Sequence, residues 1–249
     1  MEAPRQAVVL AAGKGTRLRK LDTKHPKPLI RIAGSPLLDH IRRGLAEAGV
    51  ERIHVVVSHH AEQIEAHLKA SPVPGQSATT VWQPVPQGTG QAMELAIPEL
   101  RSEPVWIVYG DAMTEPCEYL QMAALFTSDI CDMLIGTVET DDPSDSAAVY
   151  CNERMVVESI VPHPEKGTST TNHATAGLFL ARPSLFPHME RLLPSSSGEY
   201  ELVDAITHLI QTGGDVRAFP ITGWCHQVRE PKDVNQIEAL VKRTPDEEA

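Results

Sequence analysis

The sequence predicts an α/β fold in which a mostly parallel sheet is flanked by helices, and three observations carry that expectation. The apolar runs at 7–10, 53–57 and 105–109 show no in–out alternation, as strands buried on both faces require. Stretches with helical periodicity lie between the first two runs and follow the second, giving a β-α-β-α order that implies parallel strands with right-handed crossovers. Finally, the first run feeds a glycine loop and the third ends at Gly110-Asp111, at the strand ends where open α/β sheets place ligands.

Taken in order, Ala7-Val8-Val9-Leu10 reads as the first strand. Leu38, Ile41, Leu45 and Ala48 form an apolar helical stripe over 37–48, stopped by Gly49. Ile53-His54-Val55-Val56-Val57 is the next strand and 61–68 the next helix. Val105-Trp106-Ile107-Val108-Tyr109 is the third strand. In the second half, 132–136, 147–151 and 176–181 read as strands, and 183–193, 202–211 and 231–242 as helices. The Pro-, Ser-, Thr- and Gly-rich stretch 162–172 reads as a mobile loop beside a site. No linker divides the chain, so residues 1–243 are expected to form one domain, with 244–249 a short acidic tail.

Composition narrows the function classes. The chain has 249 residues, 41% hydrophobic and 22% charged, which is ordinary globular usage and excludes a disordered or fibrous protein. No apolar run approaches the ~18–20 residues of a membrane span. The first residues lack a secretory signal pattern, so a cytoplasmic protein is expected. With 22 basic and 33 acidic residues, the net charge of −11 disfavours nucleic acid and anionic membranes as partners. That charge is compatible with a homo-oligomer as well as a monomer. Cys117, Cys131, Cys151 and Cys225 have no ligand-like spacing and read as free thiols. The histidines, among them His59, His60, His163, His173 and His226, show no metal-binding spacing either.

The most informative segment is Leu10-Ala11-Ala12-Gly13-Lys14-Gly15-Thr16-Arg17-Leu18, followed by Pro26-Lys27-Pro28-Leu29. Small residues after a buried strand let backbone N–H groups approach an anion, and Lys14, Arg17 and Lys27 add three cations. This is neither the P-loop spacing nor the three-glycine dinucleotide spacing. The string, with both halves at family spacing, resembles the signature of the sugar-phosphate nucleotidyltransferases, including the glucose-1-phosphate thymidylyl- and uridylyltransferases. The resemblance extends over nearly the whole chain. It implies a Rossmann-like sheet of the nucleotide-diphospho-sugar transferase type, transfer of an NMP group from a nucleoside triphosphate to a phosphorylated small molecule, and Mg²⁺ as cofactor.

Gln83-Pro84 and Gln87-Gly88-Thr89-Gly90-Gln91-Ala92 are similar to the family's base-recognition segment, and amide side chains suit a pyrimidine edge because each supplies a donor and an acceptor. Uridine or thymidine is favoured, with cytidine open. Gly110-Asp111 matches the family's metal-binding Gly-Asp. Gly198-Glu199-Tyr200-Glu201 resembles a helix start near the sugar, although acidic residues also cap helices. The implied nucleotide site comprises Leu10, Ala11, Ala12, Gly13, Lys14, Gly15, Thr16, Gln83, Gln87, Gly88, Thr89 and Gly110; Arg17, Lys27 and Asp111 are the implied catalytic residues.

Departures gather at the acceptor end. Gapless alignment of the closing segment puts Gln227 where most members carry a second metal-binding aspartate. Pro162-His163 replaces a common Glu-Lys pair, and Thr175-Ala176-Gly177 stands where sugar-binding members show Asn-Thr-Gly or Val-Thr-Gly. The resemblance implies an acceptor-binding set of His163, Thr175, Gly177, Glu199 and Glu201, with Asp111 and Gln227 at the metal. Three readings stay open: a sugar 1-phosphate bound through altered contacts; a phosphonate, cyclitol phosphate or phosphorylated alcohol, as in a cytidylyltransferase; or a non-catalytic subunit that binds nucleotide-sugar.

Overall fold

The computed structural model describes residues 3–13, 15, 25–195 and 198–242. Its frame is a nine-stranded sheet. Strands β1 (Gln6–Leu10), β4 (Arg52–Val57), β5 (Ser77–Trp82) and β6 (Val105–Tyr109) run parallel in the order β5-β4-β1-β6. Beside β6 lies β11 (His173–Ala181), which is antiparallel to it. β8 (Met133–Glu139) pairs antiparallel with β11 and parallel with the edge strand β12 (Val216–Pro220). β9 (Ala147–Cys151) and β10 (Val157–Pro162) form a hairpin that meets the start of β11 at Ala174. Two small ribbons complete the set: β2 (Arg31–Ile32) with β3 (Ser35–Pro36), and β7 (Ala112–Thr114) with β13 (Cys225–Gln227).

Alternation along β1 shows why the sheet is covered on both faces. Ala7 and Val9 enter one apolar cluster while Val8 enters the other, and all three are fully buried. The first cluster takes α1 (Leu37–Glu47), α2 (Ala61–Ala70), α4 (Pro116–Ser128) and α7 (Pro231–Val241) through Ile41, Ile64, Phe126 and Ile237. The second takes α3 (Thr89–Ala96), α5 (Phe186–Met189) and α6 (Leu202–Gln211) through Met93, Met189 and Ile206. Trp106, fully buried on the first face, meets the Tyr119 ring edge-on at 5.6 Å. Gln6 is buried too, and its side chain offsets the loss of water by bonding the 101–103 turn in three places at 3.0 Å.

Several elements differ from the sequence expectation. β5 is an added parallel strand that its Ser/Thr-rich, half-exposed edge position concealed. The helix expected over 183–193 is a 3-10 turn plus the four-residue α5, because Pro183 and Pro187 limit the N–H donors and Leu192 packs under α3 instead. α4 is a further helix without a sequence expectation, because its apolar residues are spread around its circumference. No helix among the described residues is long and apolar enough to cross a membrane.

Candidate active site

β1 and β6 are neighbours in register, Leu10 opposite Tyr109, so both leave the sheet at the same edge. The chain turns immediately after each. Gly110 donates its N–H to the Leu10 carbonyl at 2.9 Å, and an added Cβ there would lie 2.9 Å from that same oxygen. A cavity of about 380 Å³ opens at this edge, floored by residues 10–13 and Gly15 and walled by Lys27, Gln83, Thr89, Tyr109 and Asp111.

Lys27 is carried into the cavity by a short 3-10 turn over Lys27–Leu29, which starts after Pro26 and has Pro28 buried within it. A Cβ on Gly15, whose φ is +57°, would lie 3.1 Å from the Lys27 Cβ, so the glycine loop and the returning segment pack directly together. From there Lys27 Nζ donates to Asp111 Oδ2 at 2.6 Å. The two residues are 84 positions apart in sequence, and the fold makes them an ion pair at the end of β6. Lys14, Thr16 and Arg17 lie outside the described residues.

On the opposite wall, the segment 83–91 is fixed by side-chain amides. Gln83 is buried, and its Nε2 donates to Gln91 Oε1 at 2.7 Å; Gln91 Nε2 in turn donates to Gln87 Oε1 at 2.6 Å. Gln91 is thus the residue that orients both expected base-facing glutamines. Its position four residues after Gln87, on the first turn of α3, was the available signal. Gly88 has φ +106°, and an added Cβ would sit 2.8 Å from the Tyr200 nitrogen. That close approach lets Tyr200 N–H bond the Gln87 carbonyl and Gly90 N–H bond the Tyr200 carbonyl, both at 2.7 Å.

The same junction places the carboxylates. Glu199 lines the cavity. Thr89 Oγ1 donates to Glu201 Oε2 at 3.1 Å and accepts the Leu202 N–H at 3.0 Å, so one hydroxyl ties the wall to the start of α6. Burial pushes the Glu201 carboxyl above the usual carboxylate range, and Glu199 nearby adds to the shift. Burial likewise raises the Tyr109 phenol, so it stays neutral. Tyr109 was read only as the end of a strand, but its odd-numbered face of β6 turns it toward Thr89 and the cavity.

The remaining acceptor-end residues gather beside a second cavity of about 330 Å³, lined by Ser146, Thr175, His226, Gln227, Arg229 and others. Thr175 Oγ1 and Ser146 Oγ are hydrogen-bonded at 2.9 Å. Gly177, at φ +80°, separates the two cavities: an added Cβ would lie 3.2 Å from Tyr109 Cβ and 3.2 Å from Gln227 Nε2. His163 is exposed with φ +42°; its N–H bonds the Ser146 carbonyl at 2.8 Å, and it is near enough to Glu201 to favour the ionised carboxylate. Gln227 adjoins the Asp111 segment, since Val228 N–H donates to the Asp111 carbonyl at 2.8 Å. Its Oε1, however, accepts from the Arg229 guanidinium, through Nε at 2.9 Å and through Nη2.

A magnesium ion needs oxygen ligands, and the described residues contain no group of three or more His, Cys, Asp or Glu side chains that could enclose a metal. Magnesium is commonly held through one or two carboxylates, with water and substrate phosphates completing the shell. Asp111 fits that mode as a single carboxylate facing an anion-sized cavity.

Comparison with known proteins identifies the family. The family model described as nucleotidyl transferase matches residues 6–248. The chain belongs to the nucleotidyl transferase family. Among curated relatives, it is 30% identical over 235 residues to the UTP–glucose-1-phosphate uridylyltransferase AglF of Haloferax volcanii, covering 94% of this chain and 95% of that one. It is 29% identical over 232 residues to the bifunctional protein GlmU of Methanococcus maripaludis, covering 92% of this chain but 52% of that one, so it spans about half the length of this relative. Two solved structures share the nucleotidyl transferase fold across the chain. The inositol-1-phosphate CTP transferase from T. maritima has a TM-score of 0.83 at 24% identity, covering 100% of this chain and 99% of that one. A UDP-glucose pyrophosphorylase in complex with UDP-glucose has a TM-score of 0.86 at 18% identity, covering 97% of this chain and 100% of that one.

Proposed function

We propose that this nucleotidyl transferase moves an NMP group from a nucleoside triphosphate to a phosphorylated small molecule, a sugar 1-phosphate in the first instance, and releases pyrophosphate. The observation that carries the reading is the Lys27–Asp111 pair at 2.6 Å, set beside a glycine loop in one cavity. An acceptor phosphate monoester has a second pKa near 6 and is mostly dianionic at neutral pH, so the site needs no general base. Its task is to bring two polyanions together in line at the α-phosphorus and to absorb the leaving charge.

The residues divide that task. Backbone N–H groups of 13–16 hold the β- and γ-phosphates, and Arg17 meets the departing pyrophosphate with a planar, permanently charged fork. Lys27 bridges the α-phosphate and the acceptor phosphate. Asp111 is the residue that would hold Mg²⁺, and when bound the ion would neutralise phosphate charge that the protein's cations leave uncompensated. Gln83 and Gln87, held by Gln91, face the base, with UTP or TTP favoured and CTP as the alternative. Glu199 and Glu201 accept from acceptor hydroxyls. A cyclitol phosphate, phosphonate or phosphorylated alcohol is the second reading of the acceptor, supported by Pro162-His163 and by Arg229 beside Gln227.

The test is pyrophosphate release with magnesium, pairing UTP, TTP, CTP, GTP and ATP with sugar 1-phosphates, inositol phosphate and phosphonates. Release that requires one triphosphate and one acceptor together is expected. Silence across the panel with triphosphate binding retained would favour a non-catalytic nucleotide-sugar-binding role instead.

A further inference from the structure

The second cavity is bounded by a pair of side chains that the transfer mechanism does not use. Gln227 closes β13 and Arg229 follows two residues later, and the glutamine turns its oxygen back onto the guanidinium. Two N–H groups of one fork converge on that oxygen. The amide nitrogen faces the other way, toward Gly177, whose missing Cβ leaves it room. An amide oxygen held in this way is engaged by a permanent positive charge. A divalent cation approaching it would meet that charge at close range.

Most of the other described charges around the second cavity have partners of their own. Asp233 accepts the N–H groups of Arg229 and Glu230 at 2.7 Å as part of a capping box. Glu230 pairs with Lys232 at 3.1 Å, and Asp142 accepts the Ser144 N–H at 3.1 Å. Among the described residues, the exposed Asp145 forms an ion pair with Arg229 at 3.8 Å, beyond hydrogen-bond distance.

We propose that Arg229 is a positioning residue that withdraws Gln227 from the metal, leaving Asp111 as the one protein side chain that ligates the ion. The ion then binds weakly to the protein alone and gains its remaining ligands from the nucleotide. The inference rests on the transfer reading only in placing the ion at Asp111, and metal binding can be read without turnover.

The experiment is titration of the full-length protein with Mn²⁺, followed by electron paramagnetic resonance of the free ion, without nucleotide. Gln227→Ala is expected to leave the Mn²⁺ affinity within about twofold of wild type, and Asp111→Asn to abolish binding. Arg229→Ala is expected to raise the affinity a few-fold, and Gln227→Asp combined with Arg229→Ala to raise it about tenfold or more. A gain of affinity is not what a merely structural role would produce. Arg229→Met, which keeps the apolar stem, replaces the alanine variant if circular dichroism shows that Arg229→Ala does not fold. Loss of affinity of about tenfold in Gln227→Ala, or no gain in the double variant, would overturn the proposal. Failure of transfer in every assay alongside these affinity changes would refute the transfer reading and leave this one standing.

Discussion

Replacing Lys27 by alanine separates catalysis from folding more cleanly than any other single change in the site. Its Nζ lies 2.6 Å from Asp111 Oδ2, with the two side chains 16% and 28% exposed. An ion pair with that much access to water contributes about 1 kcal/mol or less to stability. In a chain of this size that corresponds to about 2–4 °C in Tm. Under the proposed mechanism the cost to the reaction is far larger, because there the ammonium would act where charge develops. Removing one such contact commonly lowers the rate about 10²–10³-fold, or roughly 2.7–4 kcal/mol. The assay is kcat for pyrophosphate release beside a thermal melt of the same preparation. Asp111→Asn supplies the second side of a double-mutant cycle, in which the two losses are expected to be non-additive because the groups touch. A Lys27→Ala rate within about threefold of wild type would refute the bridging role. A Tm loss above about 10 °C would show instead that the pair holds the fold.

Four further outcomes follow from the geometry. Gly88→Ala puts a methyl 2.8 Å from the Tyr200 nitrogen at a φ of +106°; it should cost about 1–3 kcal/mol and weaken triphosphate binding by calorimetry. Thr89→Val strips Glu201 of its donor and leaves the Leu202 N–H without its acceptor, a loss of about 1–3 kcal/mol in urea denaturation. Trp106→Ala empties a fully buried site against Tyr119 and should cost about 3–5 kcal/mol, read the same way. His54 is buried against Thr79, and burial lowers its pKa. Because the unfolded chain takes up that proton near pH 6.5, the stability His54 contributes is present above this value and is lost as pH falls toward the lowered native one. Melts at about pH 7.5 and 5.5 should therefore converge in His54→Asn, and an unchanged difference would exclude this source.

What could be read from the sequence was set by how far apart the cooperating residues lie. Strands β1, β4 and β6 announce themselves because both faces are apolar, and α1 and α6 because their stripes are narrow. β5 alternates half-buried with exposed residues and gains its place only by pairing with β4, a contact no local pattern contains. Lys27 and Asp111 could each be singled out from a motif, but only the fold shows their ammonium and carboxylate in contact. Gln83 and Gln87 were visible as amides; that Gln91 holds both depends on the turn of α3. Arg229 carries no signal in the sequence, because its contact with the Gln227 oxygen is visible only in the fold.

The most direct test of nucleotidyl transfer is ³¹P nuclear magnetic resonance of the protein with Mg²⁺, one triphosphate and one phosphorylated acceptor. Transfer predicts a new pair of coupled diphosphate resonances growing in step with inorganic pyrophosphate, and neither signal when the acceptor is left out. Pyrophosphate accompanied by free NMP, at a rate indifferent to the acceptor, would contradict it.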